Sequence, residues 1–325
     1  MIDAHTLEIR DLCIDVGDFS VVDGVEFSIG RGEIVALVGE SGSGKSLTAL
    51  SIMGLLSGAV HQSDGTATLE GKQLDLQNDA AMRKLRGTAL SMIFQEPIAS
   101  LNPLLSVGAQ VAESLIVHGR ASSAEAWDRA VEMLQDVGIP APDRRARQLP
   151  SELSGGMCQR VMIASALIAA PRLLIADEPT TALDVTIQAQ ILHLMRSLRD
   201  ETDTSILIIT HDMGVVASVA DRVCVMYGGR IVEQAEVHQL FAAPRHPYTK
   251  LLLATIPRLD GARKQELFSI SGMVPDASAW PEGCRFRTRC PLASERCATR
   301  PQLVPVGDTG HVAACWHTDK VDGLT

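Results

Sequence analysis

A glycine-rich segment is the strongest chemical signal in the sequence. Its residues, GESGSGKS, fit the pattern G-x-x-x-x-G-K-[ST] and stand between an apolar run and a helix-like run. Glycines let consecutive backbone N–H groups point at phosphate oxygens, and the start of the following helix adds partial positive charge. We therefore predict a phosphate-binding loop whose contacts come from Gly39, Ser41, Gly42, Ser43, Gly44, Lys45 and Ser46.

Two side chains of this loop suit a nucleoside triphosphate and its metal ion. Lys45 can reach the β and γ phosphates, and the hydroxyl of Ser46 can take one position around Mg²⁺. The alternative is a glycine-rich turn with a surface lysine, which the strand–loop–helix context disfavours. The loop therefore predicts binding of ATP with Mg²⁺.

Two carboxylates stand at the end of another apolar run, LLIADE. In a parallel sheet such a position faces the crevice where ligands bind. We expect Asp177 to hold Mg²⁺ through water, and Glu178 to orient or deprotonate the water that attacks the γ-phosphate. The alternative is that both residues only cap the next element.

Three further polar residues are candidates because each follows an apolar run. Gln95 can ligate Mg²⁺ or the attacking water, or it can be a solvated loop residue. His211 can contact the γ-phosphate and sense its presence, or it can be an ordinary strand-end histidine. Asp184 can belong to the nucleotide site, or it can be only the N-cap of the next helix.

The elements around these residues alternate between strands and helices. Buried strands are predicted at 33–40, 88–94, 172–177 and 205–210, which indicates an α/β domain with a largely parallel sheet. The stretch of about 97–165 is helical in pattern, and Gly228-Gly229 between apolar runs predicts a hairpin. After about residue 240 proline, arginine and cysteine increase, which indicates a separate small appendage with little apolar core.

Composition excludes several classes of function. The hydrophobic fraction of 46% suits a globular core, whereas the formal charge of −10 and the aromatic fraction of 3% argue against a nucleic-acid partner. The first residues carry no export signal, and no run approaches the ~20 apolar residues that span a bilayer. A role in membrane transport therefore requires partner subunits.

One further segment links these features to a known family. Residues 153–160, LSGGMCQR, resemble the LSGGQ signature of ABC ATPases, and the resemblance covers residues 7–240 in order. It implies that Ser154, Gly155 and Gly156 bind the γ-phosphate of an ATP held on the opposite subunit's loop. The family commonly stacks adenine on an aromatic before the loop, and here Phe19 or Val16 occupies that neighbourhood.

The resemblance also implies an architecture. It is that of an ABC ATPase core at 1–240, a P-loop NTPase fold with an N-terminal antiparallel β subdomain and a helical insertion at about 97–165. A small cysteine-rich extension at 241–325 follows.

Two segments narrow the family further. DEPTTALDVTIQAQI and the tail APRHPYTKLLLATIP resemble ATPases of the dipeptide, oligopeptide and nickel importers. This likeness implies ATP hydrolysis that powers peptide import, with nickel, glutathione or another small solute as the alternative. It implies a second ATPase chain, homologous but different, two transmembrane permease subunits and, indirectly, an extracytoplasmic solute-binding protein. The expected location is peripheral, on the cytoplasmic face of the bacterial inner membrane.

Four of the seven cysteines crowd into the tail with the spacing C-x₅-C-x₆-C-x₁₇-C. A reducing compartment disfavours disulfides, and the spacing differs from the paired C-x₂-C of zinc ribbons. The likeness to peptide-permease ATPases implies a [4Fe–4S] cluster, with zinc and metal-free thiols as alternatives. The proposed ligands are Cys284, Cys290, Cys297 and Cys315.

Two other functions compete with peptide import. A soluble ABC ATPase that acts on nucleic acid or the ribosome needs basic patches, a second ATPase domain or a long coiled coil. An exporter usually fuses its ATPase to transmembrane helices. None of these features is evident in the sequence, which favours the importer.

Overall fold

A computed structural model describes residues 5–181, 183–256, 269–307 and 310–324. Ala182, two residues before Asp184 in the segment DEPTTALDVTIQAQI, lies outside these residues. The chain divides into two compact units that interleave in sequence. Unit 1 comprises Met1–Leu7, Ile29–Ile34 and Thr68–Ile209, and unit 2 comprises Glu8–Ser28, Val35–Ala67 and Thr210–Thr325.

Strands and helices alternate along most of the described chain. The strands are β1 His5–Val16, β2 Phe19–Gly30, β3 Ile34–Val38, β4 Val60–Leu69, β5 Lys72–Gln73, β6 Leu90–Ile93, β7 Leu173–Asp177, β8 Ser205–Thr210, β9 Arg222–Tyr227, β10 Arg230–Glu236, β11 Val304–Pro305 and β12 Val312–Ala313. The helices are α1 Lys45–Ile52, α2 Asp79–Leu85, α3 Pro97–Ser100, α4 Val107–Val117, α5 Ser123–Asp136, α6 Pro142–Arg145, α7 Gly155–Leu167, α8 Val185–Thr202, α9 Met213–Val219, α10 Val237–Ala242 and α11 Pro247–Ala254.

The parallel strands of unit 1 are buried along their whole length. β7 pairs in parallel with β6 on one side and with β8 on the other, so that Leu173 lies opposite Leu90 and Ser205. Continuous apolar runs produce such strands because both faces of the sheet are covered. The strand predicted at 88–94 is shorter than expected, because the N–H groups of Thr88 and Ala89 bond the Leu85 carbonyl at the end of α2.

Helices occupy unit 1 between β6 and β7. Helix α5 begins at a capping box, in which Ser122 and Glu125 satisfy each other's backbone N–H groups. Helix α4 packs on α5 and α7 and approaches its neighbours closely at Gly108. A Cβ atom added to Gly108 would lie 2.8 Å from the Cβ of Ala146, so only glycine fits there. This part of the chain is the helical insertion that the sequence predicts.

The hairpin of β9 and β10 organises unit 2. Its turn, Gly228-Gly229, has positive φ at both residues, as the predicted hairpin requires. β9 also pairs in parallel with β3, and β10 pairs antiparallel with β12, which in turn pairs with β11. The chain after residue 240 therefore adds strands to this sheet, a feature that its weak periodicity did not predict.

The other strands of unit 2 belong to a second sheet, in which β1 lies between β2 and β4. β1 and β2 are joined by the two-residue turn Gly17-Asp18, which is typical of antiparallel neighbours. The α/β core with a β subdomain is thus confirmed. The sequence did not predict β4, because VHQSDGTATL lacks a continuous apolar or alternating pattern.

An aromatic cluster forms part of the core of unit 2. Tyr227 of β9, Tyr248 of α11 and Phe286 of the tail are all fully buried. Their ring centroids are 4.8 to 5.3 Å apart, within the range of favourable aromatic pairs. The tail thus has more apolar anchoring than its composition indicates.

Candidate functional site

The glycine-rich loop lies where the sequence places it, between buried strand β3 and helix α1 in unit 2. Gly39, Gly42 and Gly44 have φ values of +156°, +79° and +99°, a region that side chains rarely adopt. A Cβ atom on Gly39 would lie 2.1 Å from the Met226 carbonyl oxygen. The loop can therefore keep its shape only with glycine, and its backbone is free to approach an anion closely.

Lys45 is buried and its ammonium is held by the loop itself. Its Nζ donates to the carbonyl oxygens of Gly39 and Glu40 at 2.8 and 2.9 Å, and to Ser43 Oγ at 3.3 Å. An ammonium this close to the backbone of the loop is placed to exchange carbonyl oxygens for phosphate oxygens. Ser41 and Gly42 are exposed and Ser46 is half-buried at the first turn of α1, so these positions are open to a ligand.

Strand β2 runs beside the same loop. A Cβ atom on Gly44 would lie 3.0 Å from Val22 Cγ2 and 3.4 Å from the Val21 carbonyl oxygen. Phe19, two residues before Val21 on this strand, is 50% exposed. An exposed ring on the strand that borders the loop is in the right part of unit 2 to meet a base.

The carboxylates of unit 1 lie at the carboxyl end of β7. Asp177 is 3% exposed and lies opposite Ile209 of β8, and Glu178 leaves the strand with a φ of +49°. The Glu178 N–H still bonds the Ile209 carbonyl at 2.9 Å, and its Oε2 accepts from Thr181 Oγ1 at 3.0 Å. The left-handed backbone turns Glu178 out of the strand direction and fixes its position after Asp177.

Gln95 shares this edge of the sheet with the two carboxylates. It comes two residues after the end of β6, whose Ile93 lies opposite Ala176 of β7. Gln95 is exposed, so its amide is available to a ligand. The fold therefore brings Gln95, Asp177 and Glu178 to the same end of neighbouring strands, as predicted.

The signature segment opens helix α7 in unit 1. Ser154 is the N-cap and accepts a hydrogen bond from the Met157 N–H at 3.4 Å. Ser154 and Gly155 are exposed, and a Cβ atom on Gly155 would meet nothing within 4 Å. The start of the helix is thus exposed, where an anion from outside can reach it.

The signature helix is also tied to the segment after the carboxylates. Buried Gln159 of α7 donates from Nε2 to the Pro179 carbonyl oxygen at 2.6 Å. This bond links the position of α7 to that of Glu178 within unit 1. It was not foreseen, because no local pattern joins residues that far apart.

Two more predicted positions are found at helix starts. Asp184 is the N-cap of α8 and accepts from the Ile187 N–H at 3.0 Å, so the capping alternative accounts for its carboxylate in this structure. His211 directly follows β8 and is exposed, and Asp212 caps α9.

The four tail cysteines all belong to unit 2 and lie near one another. The Cys284 N–H bonds the Cys297 carbonyl at 2.9 Å, and Cys297 is buried. Burial, reinforced by the nearby thiols, raises the pKa of Cys290 to about 12 and that of Cys315 to about 11. In the part of the chain that the structure describes, no three His, Cys, Asp or Glu side chains form a group able to hold a metal ion.

An arginine cluster beside these cysteines was not predicted. Asp23 accepts hydrogen bonds from Arg230, Arg285 and Arg300, and Arg230 and Arg285 both bond its Oδ2 at 2.7 to 3.0 Å. Although burial opposes it, these arginines lower the pKa of Asp23 below its ordinary value. The cluster lines a cavity of about 670 Å³ in unit 2, which Cys284 also borders.

Sequence profiles of two families match the chain. The profile described as "ABC transporter" matches residues 22–181, which contain the loop, the signature segment and the two carboxylates. The profile described as "Oligopeptide/dipeptide transporter, C-terminal region" matches residues 232–297. Across the described residues, no helix is both long and apolar enough to cross a membrane.

Several proteins are similar to nearly the whole chain. "Oligopeptide transport ATP-binding protein AppD" of Bacillus subtilis (strain 168) is 52% identical over 296 residues, which cover 91% of this chain and 90% of that protein. "Oligopeptide transport ATP-binding protein OppD" of the same organism is 49% identical over 312 residues, 94% and 87% of the two chains.

Solved structures show the same fold. The dimeric post-hydrolysis structure of the ATP-binding cassette MJ0796 bound to ADP and Pi is 28% identical, with a TM-score of 0.65, and covers 71% of this chain and 98% of that one. CbiO1 from Clostridium perfringens is 28% identical with a TM-score of 0.62, covering 74% and 92%. With the motifs and the fold in agreement, the chain belongs to the ABC transporter family, in its group of oligopeptide and dipeptide transport ATP-binding proteins.

Proposed function

We propose that this chain hydrolyses ATP to power the import of peptides across a bacterial inner membrane. The observation that carries the proposal is the joint presence of a phosphate-binding loop, a signature helix start and the Asp177-Glu178 pair in an ABC ATPase fold. The names of its relatives supply the peptide cargo. We take residues 1–240 as the ATPase domain and 241–325 as a C-terminal extension.

The site residues take roles that follow from their chemistry. The loop N–H groups and Lys45 bind the phosphates, while Ser46, Gln95 and Asp177 hold Mg²⁺, directly or through water. Water attacks the γ-phosphorus and gives its proton to Glu178, and the bond from that phosphorus to the bridging oxygen breaks, which leaves ADP and phosphate.

The partner subunit completes the site. The exposed start of α7, with Ser154, Gly155 and Gly156, is proposed to bind the γ-phosphate of ATP on the loop of a second ATPase subunit. His211 and Asp184 are proposed to complete the site around the γ-phosphate, and Phe19 is proposed to stack on the adenine. Closure of the pair on ATP and its reopening after hydrolysis then drive two permease subunits.

The pairing of the ATPase subunits and their location at the membrane are proposed from the likeness to peptide importers. We propose a heterodimer with a homologous ATPase chain, held at the cytoplasmic face of the membrane by the permease subunits. An extracytoplasmic binding protein delivers the peptide to those subunits. Nickel, glutathione or another solute would change the permease and the binding protein but leave the ATP site as described here.

We propose a [4Fe–4S] cluster at Cys284, Cys290, Cys297 and Cys315. The four thiols share one region of unit 2, although no three of them group closely enough in the described residues to hold a single metal ion. Their chemistry suits a cluster, which separates its sulfur ligands more widely than a single zinc ion does. Arginines between the first three cysteines, at 285, 287, 289 and 296, offset the negative charge of a thiolate-bound cluster. When bound, such a group supplies a structural link or a redox-sensitive one.

The metal content of the purified chain tests this assignment. Anaerobically purified protein is expected to be brown, to contain iron and sulfide, and to lose both when Cys290 is replaced by Ser. Replacement of Cys158, buried in α7 away from the tail in sequence, serves as the thiol control. A colourless protein that contains zinc would reject the cluster in favour of a zinc site.

The ATPase function itself is tested by replacing Glu178. Glu178→Gln is expected to retain ATP binding and to lower turnover by at least about 100-fold, because general-base catalysis contributes factors of that order. Glu152→Gln, which removes an exposed carboxylate of unit 1, is the matched control. Normal turnover in Glu178→Gln would remove Glu178 from the catalytic role.

A further inference from the structure

One contact joins the tail to the phosphate-binding loop within unit 2. Arg289, which precedes Cys290, donates from Nη1 and Nη2 to the two carboxylate oxygens of Glu40 at 2.5 and 3.0 Å. The Arg289 side chain is only 5% exposed. A bidentate, nearly buried ion pair of this kind is among the stronger polar contacts in proteins.

Arg289 is itself held from several directions. Its Nη1 also bonds Tyr227 Oη at 3.3 Å, and its Nε and Nη2 donate to the carbonyl oxygens of Ser271 and Ile270 at 3.0 and 3.3 Å. Its backbone N–H bonds the Phe286 carbonyl at 2.9 Å. The side-chain bonds fix the guanidinium in one orientation, while the backbone of Arg289 belongs to the cysteine-bearing segment.

Glu40 is constrained at its backbone as well as at its side chain. Its N–H donates to Tyr248 Oη at 2.8 Å, and its carbonyl accepts from Lys45 Nζ at 2.9 Å. Tyr248 belongs to the HPYTK segment and packs on Tyr227 and Phe286. Glu40, one of the residues that hold the Lys45 ammonium in this structure, is therefore itself held by two residues of the tail.

We propose that Arg289 and Tyr248 are positioning residues for the ATP site and that they couple nucleotide affinity to the conformation of residues 284–297. Lys45 must leave the Glu40 carbonyl to reach the phosphates of ATP. The position of Glu40 therefore affects how easily the loop accepts ATP. A rearrangement at the cysteines reaches Glu40 through Arg289, and ATP binding reaches the cysteines by the same contacts.

This coupling is reciprocal by thermodynamic necessity. If the state of residues 284–297 changes ATP affinity by some factor, ATP must change the equilibrium of that segment by the same factor. A purely structural role for Arg289 predicts lower stability of the fold but no such response. The proposal rests on the assignment of residues 39–46 as the ATP site.

Binding of Mg·ATPγS to the full chain tests the first half of the proposal. Arg289→Gln and Glu40→Gln are each expected to weaken binding roughly tenfold, and the double variant to be no weaker than either alone, because both remove the same contact. Arg289→Lys keeps the charge but loses the bidentate geometry and is expected to lie in between. Arg10→Gln makes the same charge change at an exposed position of unit 2 outside residues 284–297 and is expected to bind as the parent does.

Hydrogen exchange tests the second half. Mg·ATPγS is expected to change amide exchange across residues 284–297 in the parent and in Arg10→Gln, and this response is expected to vanish in Arg289→Gln. Three outcomes would each overturn the coupling. They are unaltered Mg·ATPγS affinity in both Arg289→Gln and Arg289→Lys, additive losses of affinity in the double variant, or no change in hydrogen exchange of residues 284–297 when nucleotide binds. Lys45→Ala tests the ATP-site assignment separately from the coupling. Normal Mg·ATPγS binding in that variant would overturn the assignment of residues 39–46 as the ATP site.

Discussion

At the scale of single residues, Lys45 shows how a loop can be prepared for an anion before the anion arrives. Its ammonium is nearly dehydrated, and it donates to two backbone carbonyls and the Ser43 hydroxyl of the same loop. Exchange of those carbonyls for phosphate oxygens costs little further desolvation, because the group has already left bulk water. The neighbouring loop residues thus position Lys45, and its positive charge suits it to bind phosphate.

Removal of that charge is expected to weaken ATP binding without unfolding the chain. Lys45→Ala should lower the affinity for Mg·ATP by at least about 100-fold, equivalent to roughly 2.7 kcal/mol. Isothermal titration with Glu178→Gln as the background avoids turnover during the measurement. Lys84→Ala, which removes an exposed ammonium from helix α2, is the control and should leave affinity unchanged.

A second prediction at this scale concerns the buried histidine of the HPYTK segment. His246 is the N-cap of α11, where its Nδ1 accepts from the Tyr248 N–H at 3.1 Å. Burial lowers its pKa to about 4, against the opposing effect of Glu233. Because the unfolded state protonates first, near the ordinary pKa of 6.5, stability is full above that pH and falls as the pH drops towards 4.

The loss should reach roughly 3 kcal/mol at about 1.36 kcal/mol per pKa unit. Urea unfolding between pH 7.5 and 4.5 measures it, with His246→Asn as the comparison because asparagine keeps a capping oxygen and does not titrate. The variant should show a shallower fall in stability over this range. Equal slopes in the two proteins would contradict the assignment of this pH dependence to His246.

At the scale of elements, the ends of strands and helices carry the chemistry. The proposed site residues lie at or just past the carboxyl ends of β3, β6 and β7. The sequence predicted these strand ends because binding of phosphate and Mg²⁺ requires particular residue types, and those residues follow buried apolar runs in the sequence. It could not predict the pairing of Arg289 with Glu40, which lie 249 positions apart and share no local pattern.

The start of helix α7 allows function and stability to be separated. Gly155→Ala places a methyl group in open space, so the thermal midpoint should not fall, and alanine favours the helix by up to about 1 kcal/mol. ATPase activity of the assembled pair should nevertheless drop at least about tenfold, because the proposed approach to the partner's γ-phosphate needs bare backbone.

Gly108→Ala is the matched comparison, since it adds the same methyl group to a helical glycine of unit 1. There the new Cβ would lie 2.8 Å from that of Ala146, so stability should fall by about 1 to 3 kcal/mol. Circular dichroism melts and steady-state ATPase assays measure both effects. A Gly155→Ala protein with full activity in the assembled pair would contradict the role given to the helix start.

At the scale of the whole molecule, the chain is interpreted as one half of a motor. Its phosphate-binding loop and the start of its signature helix belong to different units, and these units interleave along the sequence. The sequence predicted the motifs and the α/β core correctly, whereas it left out the tail strands β11 and β12, which are only two residues long. These short strands form because β12 pairs with the edge of β10, and β11 pairs with β12. The position of that edge is set by the tertiary fold and not by the local sequence.

ATP is expected to stabilise pairing of this chain with a second ATPase subunit. With Glu178→Gln in both chains, Mg·ATP should shift the subunits from separate species to a dimer in size-exclusion chromatography with light scattering. Ser154→Ala in the same background should weaken that shift, since it removes the proposed contact to the partner's γ-phosphate. Mg·ADP is the control ligand and should leave the subunits apart.

The most direct test of the central claim is peptide uptake by the reconstituted transporter. Proteoliposomes that contain this chain, its partner ATPase and both permease subunits should accumulate a radiolabelled oligopeptide only with Mg·ATP and the binding protein. Lys45→Ala in this chain should lower both uptake and coupled ATP hydrolysis at least about tenfold. Peptide uptake that proceeds equally well without ATP, or that Lys45→Ala leaves unchanged, would contradict ATP-driven peptide import by this chain.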